Sequence, residues 1–452
     1  MDISLRLHDA RRRQLTPAQT IVLAFLAAIV IGTILLSLPV AHAPGQTVSI
    51  LDALFTATSA VCVTGLVVVD TGGSFSRFGE ITIMLLIKSG GLGILSLGAL
   101  LALATGRRLG FKERLRLQLQ SNHMQVGGVV RFIRNMLLLT TAVELLGALI
   151  LFFPFSRDFG TAEGIFNALF HSVSAFNNAG FSLFADNLSR YAGNAYVSLT
   201  IAGLLIFGGI GLVVVLEVTR RLKGARFPLS LHTKVALSAT LALIVIGTAF
   251  MLVGEWSNPA TLGELTTQGK LTAGFFQAVT PRTAGFNSLD FASMHNGTLF
   301  FVILLMFIGG NPGSTAGGVK TTTFAVLVVA MWAEARGHGR PTLFKRRIDS
   351  ALVAKAAVVT TLAILIIGGA VTALSFTEAH IGALPLLFEV VSAVGTVGLS
   401  LGITPDLTSA GKLILTAMML LGRIGMVTFA VAVAGRRVDE HMRYPREELV
   451  IG

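Results

Sequence analysis

In four places along this chain a Phe stands ten positions before a Gly inside a closely similar stretch, and any fold must accommodate all four. The stretches are Phe55 to Gly65 (FTATSAVCVTG), Phe170 to Gly180 (FHSVSAFNNAG), Phe275 to Gly285 (FFQAVTPRTAG, with Phe276 inside) and Phe388 to Gly398 (FEVVSAVGTVG). Their terminal glycines recur every 105 to 115 residues and are followed by Leu66, Phe181, Phe286 and Leu399. About 25 positions further on, each copy has a second small-residue cluster: Gly90-Gly91, Gly208-Gly209, Gly309-Gly310 and Gly422-Arg423. Agreement at one period defines an internal repeat, and the repeat sets how everything else is read.

The solvent for this repeat follows from composition. The chain is 53% hydrophobic and 13% charged. So few charges cannot cover a soluble core, and the long apolar runs imply membrane spans. A single cysteine, Cys62, excludes an intrachain disulfide. The first 19 residues are polar for too long to form a signal peptide, so the apolar run Ile21 to Leu38 is expected to be a retained span. The net charge of +12 resembles that of a nucleic-acid binder, but its distribution argues otherwise: 26 of the 35 Lys and Arg fall in segments 6–13, 107–134, 220–234, 336–355 and 436–446. These alternate with apolar runs, the positive-inside pattern, which puts both termini in the cytoplasm. The opposite loops carry Asp70, Asp158, Glu163, Asp186, Glu255, Glu264, Asp290, Glu378 and Asp406, an acidic face that concentrates cations at an entrance.

Each repeat reads as four parts. A full span comes first, at 18–40, 135–154, 233–253 and 352–376. A short apolar helical segment ending in the glycine motif follows, at 51–61, 163–176, 270–280 and 383–394. Segments this short cannot cross a hydrocarbon core of about 30 Å. A non-helical glycine stretch with a polar outer loop is next. A second full span closes the unit, at 80–104, 195–219, 297–335 and 409–434. The expectation is an all-α integral membrane protein with eight spans and four re-entrant pore loops, pseudo-symmetric about a central pore. Its parts are a tail at 1–17, repeats at 18–116, 117–226, 227–345 and 346–435, and a tail at 436–452. Unwound backbone at membrane depth is tolerated only where it is buried in protein or lines water, which favours pore loops over interfacial helices. The second span of repeat three departs from its siblings. Gly309, Gly310, Asn311, Pro312, Gly313, Ser314, Thr315, Gly317, Gly318 and Lys320 interrupt it, predicting a broken helix with a flexible loop.

A filter must replace an ion's water with oxygens, and rings of backbone carbonyls do this for potassium. Aiming successive carbonyls at an axis needs backbone that Gly adopts without strain. The filter segments are therefore Val63-Thr64-Gly65, Asn178-Ala179-Gly180, Thr283-Ala284-Gly285 and Thr396-Val397-Gly398, the last matching the start of the TVG element of potassium filters. No acidic side chain sits in them, which disfavours a divalent-cation filter. Four cations, Lys88, Arg282, Lys320 and Arg423, fall in or near the spans. Membrane-embedded charge is expensive and usually functional. Arg423 has two readings: structural glue to Glu389 or to broken-loop carbonyls, or a charge beside the pore that slows cations or latches the loop. Arg282 is read as a brace for filter three. Lys88 and Lys320 stay open, and Glu144 and His171 are read as polar contacts between helices.

The motifs SAVCVTG, SAFNNAG, VTPRTAGFN, GGNPGSTAGGVKT, SAVGTVG and GRIG, in this order over residues 18–435, resemble the Trk/Ktr/HKT superfamily of potassium transporters, and length and span count are most similar to its KtrB-type membrane subunits. The resemblance implies potassium uptake with possible sodium stimulation, no organic cofactor on this chain, and a homodimer with one pore per subunit. It further implies control by a cytosolic KtrA-like RCK ring that binds ATP or ADP. The broken segment 309–320 corresponds to that family's intramembrane gating loop, and Arg423 to its basic residue under the filter. Gly65 stands where Ser accompanies sodium preference, and residues 436–452 fall at the dimer interface. The basic segments 107–116 and 345–347 are candidate docking surfaces for the ring. Two rivals stay open: the potassium-binding subunit of a P-type pump, and an intramembrane enzyme built on Ser314 with His171 or His232, which lacks any accompanying catalytic motif.

Overall fold

The computed structural model describes residues 16–93, 129–224, 228–337, 340–425 and 428. The N-terminal tail up to residue 15, the basic segment 107–116, the far ends of the second spans of repeats one and four, and the tail 436–452 lie outside the described residues.

The described chain is almost entirely helical, and local sequence explains where the helices start. Thr16 and Gln19 form a capping box at the head of α1 (Pro17–Leu36). Ser49 caps α2 (Ile50–Cys62), Ser76 caps α3 (Arg77–Leu92), Asn194 caps α6 (Ala195–Ile210), Ser230 caps α8 (Leu231–Glu255), Thr266 caps α9 (Thr267–Val279), Asp349 caps α12 (Ser350–Thr377) and Thr408 caps α14 (Ser409–Ile424). Each side-chain oxygen satisfies an otherwise orphaned first-turn N–H. The other helices longer than five residues are α4 (Val129–Phe159), α5 (Thr161–Phe176), α7 (Leu212–Leu222), α10 (Asn296–Phe307), α11 (Thr321–Ala335) and α13 (Ala383–Gly395). One short hairpin pairs β1 (Thr342–Leu343) with β2 (Arg346–Arg347).

Among the described residues four helices, at Ala18–Leu36, Arg134–Phe159, Leu231–Glu255 and Ser350–Thr377, are long and apolar enough to cross a membrane. Each turns large apolar side chains outward: Ile31 and Ile34, Leu145 and Leu149, Leu241 and Val245, Leu365 and Phe376. Continuous exposed apolar surface on every long helix is what lipid, not water, accommodates. The short helices α2, α5, α9 and α13 each pack on the long helix before them. Each also packs on the second helix of the preceding unit: α3 on α5, α6 on α9, α10 on α13, and α14 back on α2. The last unit closes on the first, so the short helices form a ring enclosed by the others. Ion pairs staple neighbouring units, Arg77 to Glu163 at 2.6 Å and Lys412 to Asp52 at 2.8 Å. Near the ring's rim, hydrogen bonds from Arg190 hold the Asp186 carboxyl below its ordinary range.

Two expectations need correction. The span 195–219 is not continuous: α6 and α7 meet at an angle of 98° at Gly211, whose φ is +95°. Gly93 ends α3 at φ +83° and Gly425 ends α14 at φ +88° in the same way. A glycine two residues after the small-residue cluster leaves the helical region without a Cβ penalty, so the break of repeat three is an elaboration of a shared one. The register of the third glycine stretch also shifts. Phe55, Phe170 and Phe388 are fully buried, and their counterpart is Phe276, also fully buried, whereas Phe275 is only partly so. Pro281 follows the cap residue Thr280, so this helix ends two to three residues sooner relative to its glycine than the other three.

Candidate ion pathway

At the end of the short helices the backbone turns left-handed at Val63 (φ 57°), Asn178 (58°), Thr283 (67°) and Thr396 (50°), and again two residues on at Gly65 (95°), Gly180 (71°), Gly285 (73°) and Gly398 (90°). A β-branched residue at positive φ costs roughly 1–3 kcal/mol and persists only where its surroundings hold it. Hydrogen bonds from the helix end supply that hold. The N–H groups of Thr64, Ala179 and Val397 donate to the carbonyls of Ser59, Ser174 and Ser392 at 2.8 Å, and that of Ala284 to Thr280 at 3.0 Å. The hydroxyls of the same residues grip the turn. Ser59 and Ser392 accept from the Gly65 and Gly398 N–H groups at 3.0 Å, while Ser174 donates to the Phe181 carbonyl at 2.8 Å and Thr280 to that of Phe286. Sequence reasoning passed over these four hydroxyls, although their recurrence at one place in each repeat was a usable signal.

The four glycine segments meet. A Cβ built on Gly65 would overlap the Ala179 carbonyl oxygen and lie 3.0 Å from Gly180 Cα. On Gly180 it would lie 3.0 Å from the Ala284 oxygen and 2.7 Å from Gly285 Cα. On Gly285 it would lie 2.7 Å from the Val397 oxygen and 3.3 Å from Gly398 Cα. On Gly398 it would overlap the Thr64 oxygen, 3.0 Å from Gly65 Cα. The segments thus sit around one axis in chain order, and the carbonyl before each glycine faces the glycine of a neighbour. Glycine serves here for conformation and for space at once.

Below the ring, the interrupted stretch between α10 and α11 folds into a loop. Its neck is pinched by Gly309 N–H to the Val319 carbonyl (2.9 Å), Thr321 N–H to Gly310 (3.1 Å) and Thr321 Oγ1 to Gly309 (2.8 Å). Its body leans on repeat two: Asn311 N–H donates to Gly209 (3.1 Å), Thr315 N–H to Gly208 (3.3 Å), and Gly313 accepts from Leu212 N–H (3.2 Å). Thr315 Oγ1 donates to Asn178 Oδ1, at the base of the second segment, at 2.9 Å. Gly317 lies against the Thr396 side chain so closely that a Cβ would overlap it. Arg423 donates one arm to the Thr315 carbonyl and the other to Gly90, the latter at 2.5 Å. Lys320 turns back on its own loop, to Ala316 (2.7 Å) and Gly317 (3.4 Å). A cavity of about 450 Å³ opens beneath, lined by Pro312, Ser314, Thr315, Lys320, Lys355 and Arg423 among others. Of the two partners considered for Arg423, it takes the loop carbonyl, while Glu389 accepts from Thr404 instead.

The other buried polar residues brace the ring. Lys88 pairs with Glu144, whose second oxygen accepts from Asn177 Nδ2 at 2.9 Å. His171 contacts the Asn167 carbonyl (2.7 Å) and Ser182 (3.0 Å) and stacks on Phe184. Ser314 donates to the Asn311 carbonyl at 2.6 Å and, among the described residues, is paired with no histidine base. Breaking one side of the buried Lys88–Glu144 pair leaves an uncompensated charge, at a cost of roughly 3–5 kcal/mol. Lys88→Met and Glu144→Leu should each lower the thermal unfolding midpoint in detergent, and the double variant should lose less than the sum. Additive losses would show that the pair is not a unit.

Comparison with known proteins agrees with this architecture. Residues 4–439 match the family described as TrkH, cation transport protein. The chain is 44% identical over 437 residues to the Ktr system potassium uptake protein B of Bacillus subtilis, covering 97% of each. It is 38% identical over 448 residues to the potassium/sodium uptake protein NtpJ of Enterococcus hirae, covering 98% of each. The crystal structure of the potassium transporter TrkH from Vibrio parahaemolyticus superposes with a TM-score of 0.74, at 18% identity, over 94% of this chain and 86% of that one.

Proposed function

Because the chain belongs to the TrkH family of cation transport proteins, a family of multi-pass membrane transporters and not of enzymes, we propose that it carries potassium into the cell through the four glycine segments. The observation that carries this reading is the ring of Thr64, Ala179, Ala284 and Val397 carbonyls, each facing a neighbouring glycine on a shared axis. Main-chain oxygens held by helix-end hydroxyls suit a dehydrated monovalent ion, which needs neutral ligands in fixed places. Residues 63–65, 178–180, 283–285 and 396–398 are the filter in this reading.

The loop 309–320 is its gate, latched by Arg423. Support comes from its position under the ring, its glycines, its hydrogen bonds to repeats two and four through Gly208, Gly209 and Arg423, and the second arm of Arg423 on Gly90 of repeat one. The eight spans follow if each unit contributes one long helix and one glycine-broken pair, with both termini cytoplasmic by the positive-inside distribution. Repeats at 18–116, 117–226, 227–345 and 346–435 account for the cyclic helix packing. The relative named as protein B of a Ktr potassium uptake system supports a partner subunit; its form as a cytosolic ring, and the homodimer, follow from the resemblance alone. The β1–β2 hairpin, with Lys345, Arg346 and Arg347 on its surface, is a docking site for that ring. The relative named for potassium and sodium uptake supports sodium as a second ion. Growth of a potassium-uptake-deficient strain at low potassium tests the reading. Rescue that strengthens when a nucleotide-binding ring partner is co-expressed is expected. Failure to rescue with the membrane protein confirmed in place would overturn it.

A further inference from the structure

Behind the third glycine segment lies a polar junction that the pathway described above does not use. Thr240, in the middle of α8, is 5% exposed. Its hydroxyl oxygen accepts two hydrogen bonds, from Arg282 Nη2 at 3.3 Å and from Asn311 Nδ2 at 3.0 Å. Arg282 precedes the third segment directly, and Asn311 belongs to the loop. A hydroxyl oxygen offers two lone pairs, so both are occupied. Neither partner is fully satisfied elsewhere. Arg282 is buried, its Nε has no partner, and no carboxylate pairs with it among the described residues. Asn311 is completely buried, and its Oδ1 is also without a partner.

We propose that Thr240 is a positioning residue that couples the loop to the third filter segment. With the loop lodged, one oxygen fixes both the Arg282 guanidinium behind Thr283 to Gly285 and the Asn311 amide at the start of the loop. Release of the loop withdraws Asn311 and leaves the Thr240 oxygen with Arg282 as its one donor, so the hydroxyl is free to turn and the segment loosens as the gate opens. This rests on the gating reading of residues 309–320.

A packing role and a coupling role order the variants oppositely. Thr240→Val keeps the shape and removes the oxygen, while Thr240→Ser keeps the oxygen and removes a methyl group. Coupling predicts that Thr240→Val raises rubidium flux into proteoliposomes about three- to tenfold and lowers potassium preference over sodium, with Thr240→Ser close to the parent. A silent Thr240→Val beside a damaged Thr240→Ser would overturn it. In a protein lacking residues 312–317, Thr240→Val should change flux no further. If that deletion raises flux and Thr240→Val multiplies the gain, the coupling is refuted while the gate stands. If the deletion leaves flux unchanged, the gate fails and the coupling with it.

Discussion

Gly65→Ser is expected to cut the preference for potassium over sodium by about tenfold, some 1.4 kcal/mol of discrimination. Two effects combine at this position. The backbone sits at φ +95°, which strains any residue with a Cβ, and the new Cβ overlaps the Ala179 carbonyl oxygen. That oxygen belongs to the ring and has to turn aside, so one main-chain ligand is lost and a hydroxyl enters. Gly45→Ser separates the two effects, because Gly45 has φ +78° with nothing within 4 Å of its Cβ position. It bears the backbone strain alone and should leave selectivity untouched. Competitive rubidium and sodium fluxes in proteoliposomes give the answer. An unaltered ratio in Gly65→Ser would remove Gly65 from the filter.

Removal of residues 312–317 is the second large effect and should raise flux more than tenfold. The lodged loop is held by Asn311 to Gly209, Thr315 to Gly208, Thr315 to Asn178, Leu212 to Gly313 and Arg423 to the Thr315 carbonyl. At roughly 1 kcal/mol net for each bond, the lodged state is favoured by about 5 kcal/mol. That is three to four decades in population. A partner that opens the gate must supply comparable differential binding. Deletion removes the plug outright. Unchanged flux in a folded deletion protein would mean that the segment only kinks a span.

The four glycine segments were legible because each repeat writes the same local demand, a helix end followed by positive-φ backbone, in the same letters. The loop was legible because Pro312 and five glycines from Gly309 to Gly318, interrupted by polar residues, cannot continue a helix. The bend at Gly211 was missed although Gly91-x-Gly93, Gly209-x-Gly211 and Arg423-x-Gly425 share a spacing: a glycine inside an apolar run reads equally well as helix packing. The shift from Phe275 to Phe276 could not be read, because two adjacent phenylalanines satisfy the pattern equally and only burial separates them. Arg423 takes its partners Thr315 and Gly90, and Glu144 takes Lys88, from other repeats. Such pairs are fixed by the order in which helices pack around the ring, which no local pattern encodes.

Rubidium-soaked crystals, examined by anomalous scattering, test the central claim most directly. The account predicts a peak on the axis, ringed by the main-chain oxygens of Thr64, Ala179, Ala284 and Val397 from all four repeats. Rubidium bound instead by side chains away from that axis, for example at Glu389, or excluded from the axis while the protein transports it, would contradict the account.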